Sequence, residues 1–273
     1  MDNEFRINLL KYRKAINLTQ EQLAKKIGVS FQAVSKWENG LAYPDIELLP
    51  PLASIFQISI DMLLGYRVQK IKITEYEDHY QSETYYWGNQ VWDGCYEVLK
   101  KMPPVRPLTL LDIGCGEGQA SVFFAKNGYK VSAFDIAQNG IDKGIKLAQI
   151  SNVSVNFFNA NILDYQLGNN FDIVYGSGVL QYIPLEFRGK FFENIQSHTN
   201  VGGINIFNVF VEKSFLPTPP DWELTESFWK SGELFRFYKD WQIDFMEEKI
   251  FDCHSSGVPH KHCMDTILAT KVC

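Results

Sequence analysis

No stretch of about 18 consecutive apolar residues occurs in this sequence, the length a membrane-crossing helix needs. Its beginning, MDNEFRINLLKYRK, has neither an apolar signal core nor a small-residue cleavage site. A soluble cytoplasmic protein without a membrane partner is therefore expected. Cysteine is scarce: five residues, an odd number, scattered along the chain, which excludes a disulfide framework. The first 65 residues lack an excess of either charge, with seven basic and seven acidic side chains, so residues 66–273 carry the whole net charge of −6. A strongly acidic large region is a poor platform for phosphate backbones, which argues against a nucleic-acid substrate for that part. What is present is apolar material. Of 273 residues, 45% are hydrophobic and 14% aromatic, enough for two modest domains with real cores.

The segment LTQEQLAKKIGVSFQAVSKWENG, residues 18–40, holds two helix starts. Thr19 followed by Gln22 is a capping box, Leu23, Ala24 and Ile27 give an apolar face, and Gly28 supplies a left-handed stop. Ser30 caps the next helix, with Val34 and Trp37 facing inward. An amphipathic helix over about 4–15 precedes this helix-turn-helix, and helices from Asp45 to Phe56 and Ile60 to Leu64 follow. The segment resembles the DNA-binding domains of phage repressors, the XRE-type family, through TQEQLA, VS and VSKWENG. That resemblance places the second helix of the pair in the major groove, with Phe31, Gln32 and Lys36 toward base edges. It puts Gln20 on phosphate and Arg13 and Glu38 in a buried ion pair. Operator DNA, bound by a homodimer on two half-sites, is the implied partner. The alternative is a module retained for dimerisation or docking, which the segment's neutrality favours.

Residues 67–84 read as a polar linker between a domain at 1–66 and another at 85–273. YYWGNQVW, residues 85–92, then heads a helix expected over Asn89–Lys101, with Val91, Tyr96, Val98 and Leu99 partly buried. The aromatic run, including Tyr86 and Trp87, is either packing or a lid over a cationic ligand, since aromatic faces attract positive charge.

LTLLDIGCGEGQASVFFAKNGYKVSAFDIA, residues 108–137, reads as strand, glycine loop, helix and a second strand ending at Asp135. Dinucleotide sites show G-x-G-x-x-G; here the pattern is D-x-G-x-G-x-G. Asp112 ahead of the glycines would repel a pyrophosphate and suits an amine or a sulfonium-bearing ligand. Asp135 is placed to accept from a ribose. This resembles the class I methyltransferases that use S-adenosylmethionine. The resemblance implies an α/β, Rossmann-like fold, a mostly parallel sheet with an antiparallel last strand, beside the small all-α helix-turn-helix. Implied cofactor contacts are Asp112, Gly114, Cys115, Gly116, Gly118, Asp135, Ile136, Asn161, Ile162 and Ser177, with Trp87 as cover. Asn161 stands where the family usually has Asp. Strands at Val155–Asn161, from Phe171 and at Gly202–Lys213, and a helix at Leu185–Thr199, complete the alternation.

DNA amino-methyltransferases carry [DNS]PP[YFW] after the fourth strand, where this chain has Gly176–Ser177–Gly178, and no Pro-Cys pair suits cytosine-C5 chemistry. The methyl acceptor is thus expected to be a small molecule. FWKSGELFRFYKDW, residues 228–241, and MDTILATK, residues 264–271, resemble the tellurite-resistance methyltransferases of the TehB family. That implies a soft nucleophile, a tellurium or selenium oxyanion or a thiol, in a pocket shaped by Glu233, Arg236 and Tyr238. Val258 or Pro259 falls where the family has an Arg, a departure from tellurite itself.

FDCHSSGVPHKHCMD, residues 251–265, joins two strands, Trp241–Cys253 and Lys261–Lys271, of a closing hairpin. His260 and His262 alternate onto one face, Cys263 onto the other. No C-x2-4-C pair of a structural zinc site is present, and no metal is assigned. An ordinary hairpin and a substrate-facing rim remain, the latter with His254, His260 and His262 as catalytic candidates that hold an anion or deprotonate a thiol. Two functions follow: a small-molecule methyltransferase fused to a DNA-binding unit, or a transcription regulator whose methyltransferase-like part senses S-adenosylmethionine or an acceptor. A third reading makes the helix-turn-helix a passive dimeriser.

Overall fold

The structure, a computed structural model, describes residues 4–16, 18–56, 58, 60–64, 76–220, 227–253 and 258–273. The chain divides into two compact units, Met1–Lys72 and Ile73–Cys273. Among the described residues no helix is long and apolar enough to cross a membrane.

The smaller unit is all helical: α1 (Glu4–Ala15), α2 (Gln20–Ile27), α3 (Phe31–Glu38), α4 (Leu49–Phe56) and α5 (Ile60–Leu64). The local signals act as their chemistry dictates. Thr19 and Gln22 cap α2 reciprocally, and Gly28 ends it in the left-handed region with φ 73°. Ser30 accepts from the Ala33 amide at the start of α3. The helix expected from Asp45 instead opens as a single 3-10 turn, Ile46–Leu48, before α4. Pro50 and Pro51 lie in the first turn of α4, where missing amide hydrogens cost nothing. Phe5, Leu9, Leu23, Val34, Leu52 and Leu63 form the core.

The larger unit begins with α6 (Tyr76–His79), inside the stretch read from the sequence as linker. Then come α7 (Gly94–Lys101), β1 (Thr109–Ile113), α8 (Gln119–Lys126), β2 (Lys130–Asp135), α9 (Gln138–Ile150) and β3 (Val155–Asn159). After β4 (Phe171–Gly176) follow α10 (Leu185–Ser197), β5 (Thr199–Phe210), α11 (Glu233–Arg236), β6 (Gln242–Cys253) and β7 (His260–Thr270). The sheet order is β3-β2-β1-β4-β5-β7-β6. β7 runs antiparallel to both neighbours and the remaining pairs are parallel. Neighbours on β1 alternate between two cores: Leu111 joins Val174, Phe207 and Trp229, while Leu110 joins Ile173, Tyr175 and Phe124. Edge strand β6 is largely exposed and carries Glu247, Glu248 and Lys249, charges that discourage pairing with another chain.

The helix expected from Asn89 starts five residues later, at Gly94. Trp92 folds back over that point: a Cβ on Gly94 would lie 2.2 Å from its ring. The Trp92 ring packs 6.0 Å from Tyr175, in the core that Val98 also joins, whereas Tyr96 is exposed rather than partly buried.

Within the smaller unit Arg13 donates to both oxygens of Glu38, at 2.6 and 2.8 Å, and Gln20 donates to Glu38 Oε2 at 2.6 Å. Burial pushes the Glu38 carboxyl up, but the hydrogen bonds from Arg13 and Gln20 outweigh it and hold the group below its ordinary 4.5. The pair's contribution is therefore present above that ordinary value and is lost as pH falls toward the depressed one. Arg13→Ala leaves Glu38 buried and uncompensated, and is expected to lower the stability of the smaller unit by about 3 kcal/mol. Thermal unfolding followed by helical circular dichroism checks this; an unchanged midpoint would contradict it.

Candidate active site and the exposed face of the helix-turn-helix

The sheet reverses its winding between β1 and β4, and the carboxyl ends of strands at such a switch form a crevice. The glycine loop leaves β1 there. Gly114 has φ 66°, and a Cβ on it would lie 2.3 Å from Val179 in the loop after β4. Gly118, at φ 84°, stands where a Cβ would meet Gly144 of α9 at 2.7 Å. Both positions need glycine because backbone must pass close to other protein.

Asp135 closes the loop from β2. Its Oδ2 accepts from the Gly116 amide and its Oδ1 from the Ala137 amide, both at 2.9 Å. Burial raises this carboxyl, opposed by those amides, and the net direction is up. Each oxygen keeps a further lone pair, so a hydroxyl pair of a ribose can still be received. Asp112 is buried beneath the loop and accepts from Ser121 Oγ at 2.5 Å. Burial pushes it up to about 7, with the Ser121 hydrogen bond working against the rise and Asp135 adding to it. An acid held this way ionises readily when a cation arrives. Cys115 is buried and its thiol is pushed well up by burial, which makes it inert.

The other predicted contacts scatter around this centre. Ile136 follows Asp135, and its carbonyl accepts from Asn159 Nδ2 at 2.8 Å. Asn161 turns its Oδ1 to the Leu163 amide at 2.9 Å, and Ile162 packs against the core on the β4 side. Ser177 accepts from Asn208 Nδ2 at 2.9 Å, and Asn208 Oδ1 receives the Gly178 amide at 2.7 Å. Buried Asn208 thus fixes the loop after β4 from β5, a role that nothing in the local sequence pattern announces.

Glu117 was also missed. This variable position between Gly116 and Gly118 is fully buried and bonded to Lys143 at 2.6 Å. It accepts the Tyr86 amide at 3.1 Å and the Trp87 amide at 3.4 Å. The aromatic run is therefore pinned to the loop. Trp87 Nε1 donates to Tyr80 Oη at 3.2 Å, and that hydroxyl lies 3.0 Å from where a Cβ on Gly116 would be. Tyr76 stacks on Tyr80 and reaches Tyr182, 6.1 Å away after β4. Residues 76–87 pack over the loop as a cover.

The proposed acceptor residues do not line this crevice. Glu233 binds Arg188 Nη1 at 2.7 Å, and Arg188 is buried 3.9 Å from the Trp229 ring centre. Tyr238 is buried in the core and receives Asn205 Nδ2 at 3.1 Å, while Arg236 is exposed on α11. Glu233 ties α11 to α10, and Tyr238 anchors the chain after α11 to Asn205 of β5, instead of shaping a pocket. His260 and His262 share a face, as expected, with their Nε2 atoms 2.9 Å apart, and Cys263 is buried on the other. They lie at the start of β7, beyond the point where Met264 pairs with Phe210 of β5. His254 lies outside the described residues.

In the smaller unit Phe31, Gln32 and Lys36 are all exposed on α3, one surface of a helix. A groove of 580 Å³ beside them is lined by Arg13, Lys14, Leu18, Thr19, Gln20, Glu21 and Phe31. Gln20 is the correction here: its side-chain amide is turned inward to Glu38 rather than held out for phosphate.

Residues 76–260 match the family described as "Tellurite resistance protein TehB", and residues 9–63 match the helix-turn-helix family. A probable S-adenosyl-L-methionine-dependent methyltransferase TehB of Haemophilus influenzae (strain 10810) is 28% identical over 180 residues, 64% of this chain. The match spans 61% of that relative's length, less than two thirds. The crystal structure of TehB from Haemophilus influenzae has a TM-score of 0.61 at 24% identity, over 72% of this chain and 67% of that one, and so shares the fold. The HTH-type transcriptional activator BcrR of Enterococcus faecalis is 47% identical over 62 residues, 23% of this chain and 30% of its own.

Glu117→Ala removes the acceptor that pins the cover. Hydrogen bonds to a charged group contribute about 1.5–3 kcal/mol, so amide exchange at Tyr86 and Trp87 is expected to rise by about tenfold or more. Exchange as slow as in the parent would show the cover held by other contacts.

Proposed function

The chain belongs to the TehB family, and on that premise we propose that its larger unit transfers a methyl group from S-adenosylmethionine to a small soft nucleophile. A tellurium or selenium oxyanion or a thiol is the acceptor class. The smaller unit binds operator DNA through Phe31, Gln32 and Lys36 of α3. The observation that carries the enzymatic reading is the pair of buried acids around the glycine loop, Asp112 below and Asp135 at the end of β2. Such a cradle suits a ligand with a ribose and a cationic amino-acid end and repels a pyrophosphate.

S-adenosylmethionine supplies a sulfonium methyl that a lone pair displaces in one step. The protein's share is orientation and exclusion of water, effects that reach about 7–11 kcal/mol for well-placed reactants. Asp135 receives the ribose, Asp112 ionises toward the amino group, and the backbone at Gly114, Gly116 and Gly118 admits the ligand. Ile136, Asn161, Ile162 and Ser177 complete the adenosine side. Tyr76, Tyr80 and Trp87 face the developing chemistry from above, where aromatic rings favour positive charge. His260 and His262 stand at the same edge of the sheet but turned to one another, which suits a rim better than general bases.

The second reading, a regulator that senses cofactor or acceptor, draws on chain connectivity: the cover follows directly on the segment leading from the smaller unit. It requires differential affinity of the ligand for two states.

Two measurements test the proposal. Near pH 6, well below the ordinary amino-group pKa of about 7.7–8.0, Asp112 is mostly protonated in the free protein. Binding a cation there must expel that proton, so calorimetry in buffers of different ionisation enthalpy is expected to show release of nearly one proton. The release should vanish at high pH and in Asp112→Asn; release unchanged in that variant would remove Asp112 from the site. Separately, S-adenosylhomocysteine formation is measured with tellurite, selenite, small thiols and duplex DNA. Turnover is expected with a small acceptor and not with DNA. Tight cofactor binding without turnover on any of them, together with an operator footprint that moves with cofactor, would sink the enzyme and favour the sensor.

A further inference from the structure

We propose that Cys253, His260 and His262 form a three-ligand site for a d10 transition-metal cation of the Zn2+ kind, at the end of the β6–β7 hairpin where the two strands are connected. The site is independent of the methyl-transfer reading. Strand pairing builds it. Cys253 is the direct cross-strand partner of His260, and His262 is two residues further along β7. Direct partners and residues two apart share a face of a sheet, so all three side chains project to the same side. Their ligating atoms lie within 4.8 Å of one another, with the two Nε2 atoms at 2.9 Å. Ligand atoms around a tetrahedral zinc sit about 3.3–3.6 Å apart, given bonds of about 2.0–2.3 Å. Shifts of a few tenths of an ångström at the two imidazoles and a small inward turn of the thiol would close the shell.

One of the two imidazoles also has an outer partner. His260 Nδ1 is 2.7 Å from the Val258 carbonyl oxygen. A carbonyl only accepts, so Nδ1 carries the hydrogen and Nε2 presents its lone pair to the cluster. This is how ligating histidines are usually oriented, and such outer partners tighten binding. His262 is almost fully buried, with its ring centre 4.7 Å from Phe210 and 5.8 Å from Phe251. Those rings restrict its rotation and lower the local dielectric. Lys261 alternates to the opposite face, where it bonds Asp252 at 2.6 Å, so its ammonium does not compete with a cation.

The donor set selects the ion. One thiolate and two imidazoles suit Zn2+ or Cu+, and not Mg2+ or Ca2+, which take oxygen. Binding displaces the thiol proton of Cys253. Three protein ligands leave one position for water or an exogenous soft anion, the pattern of an exchangeable site and not of a closed structural one.

The test uses the full chain, reduced and stripped with a chelator, titrated with Co2+ as a spectroscopic probe and then with Zn2+ in competition. One Co2+ per chain is expected, with the strong d–d bands of a tetrahedral site and a sulfur-to-cobalt charge-transfer band, displaced by Zn2+ and not by Mg2+. Cys253→Ser is expected to abolish the charge-transfer band. His260→Gln should weaken affinity by at least tenfold, since loss of an outer partner alone costs about 10–100-fold. Absence of saturable binding in the parent, or variants that bind as the parent does, would overturn the proposal. Should a variant fail to fold, alkylation of Cys253 in the parent, read by mass spectrometry, decides: Zn2+ must slow it, and an unchanged rate overturns the site.

Discussion

At Gly114 a side chain would run into Val179, and at Gly118 into the backbone of Gly144. The end of β1 can meet the loop after β4 and the helix after β2 only because these two positions are bare. That close approach sets the depth of the crevice, brings Asp135 to the Gly116 amide, and leaves room under the loop for a buried acid. It also places Glu117 in the interior, where a carboxylate must be paired. Lys143 and the amides of Tyr86 and Trp87 supply the pairing. The aromatic cover is thus a consequence of the same packing that makes the glycine loop, through one buried charge that needed partners.

Much of this was legible in the sequence, wherever a single local interaction decides the outcome. Caps decide helix starts, so Thr19, Gly28 and Ser30 marked α2 and α3 correctly. The D-x-G-x-G-x-G spacing and the burial of whole strands gave the sheet, because a parallel strand covered on both faces has no polar alternation to hide it. A boundary moved where a non-local contact intervened: Trp92 folding onto Tyr175 delayed α7. Tyr76–Tyr80 went unrecognised as part of the larger unit because its partners Gly116, Asn139 and Tyr182 are remote in sequence.

The C-terminal third was read less well, for two different reasons. Glu233 and Tyr238 are polar residues in an aromatic stretch, and such residues read alike whether they line a pocket or pair inside a core. Arg188, at a distance of forty-five residues, decides for Glu233. The cysteine and histidines failed a spacing rule that describes loops and helices, in which ligands near in sequence are near in space. In a hairpin, register brings together residues on opposite strands, and Cys253 and His260 are such a pair.

Three parts of the larger unit meet on one carboxylate: the amides of Tyr86 and Trp87, the ammonium of Lys143 on α9, and the glycine loop that carries Glu117 itself. Cover, loop and helix therefore share a single electrostatic anchor, and a change at that one side chain would be felt in all three at once.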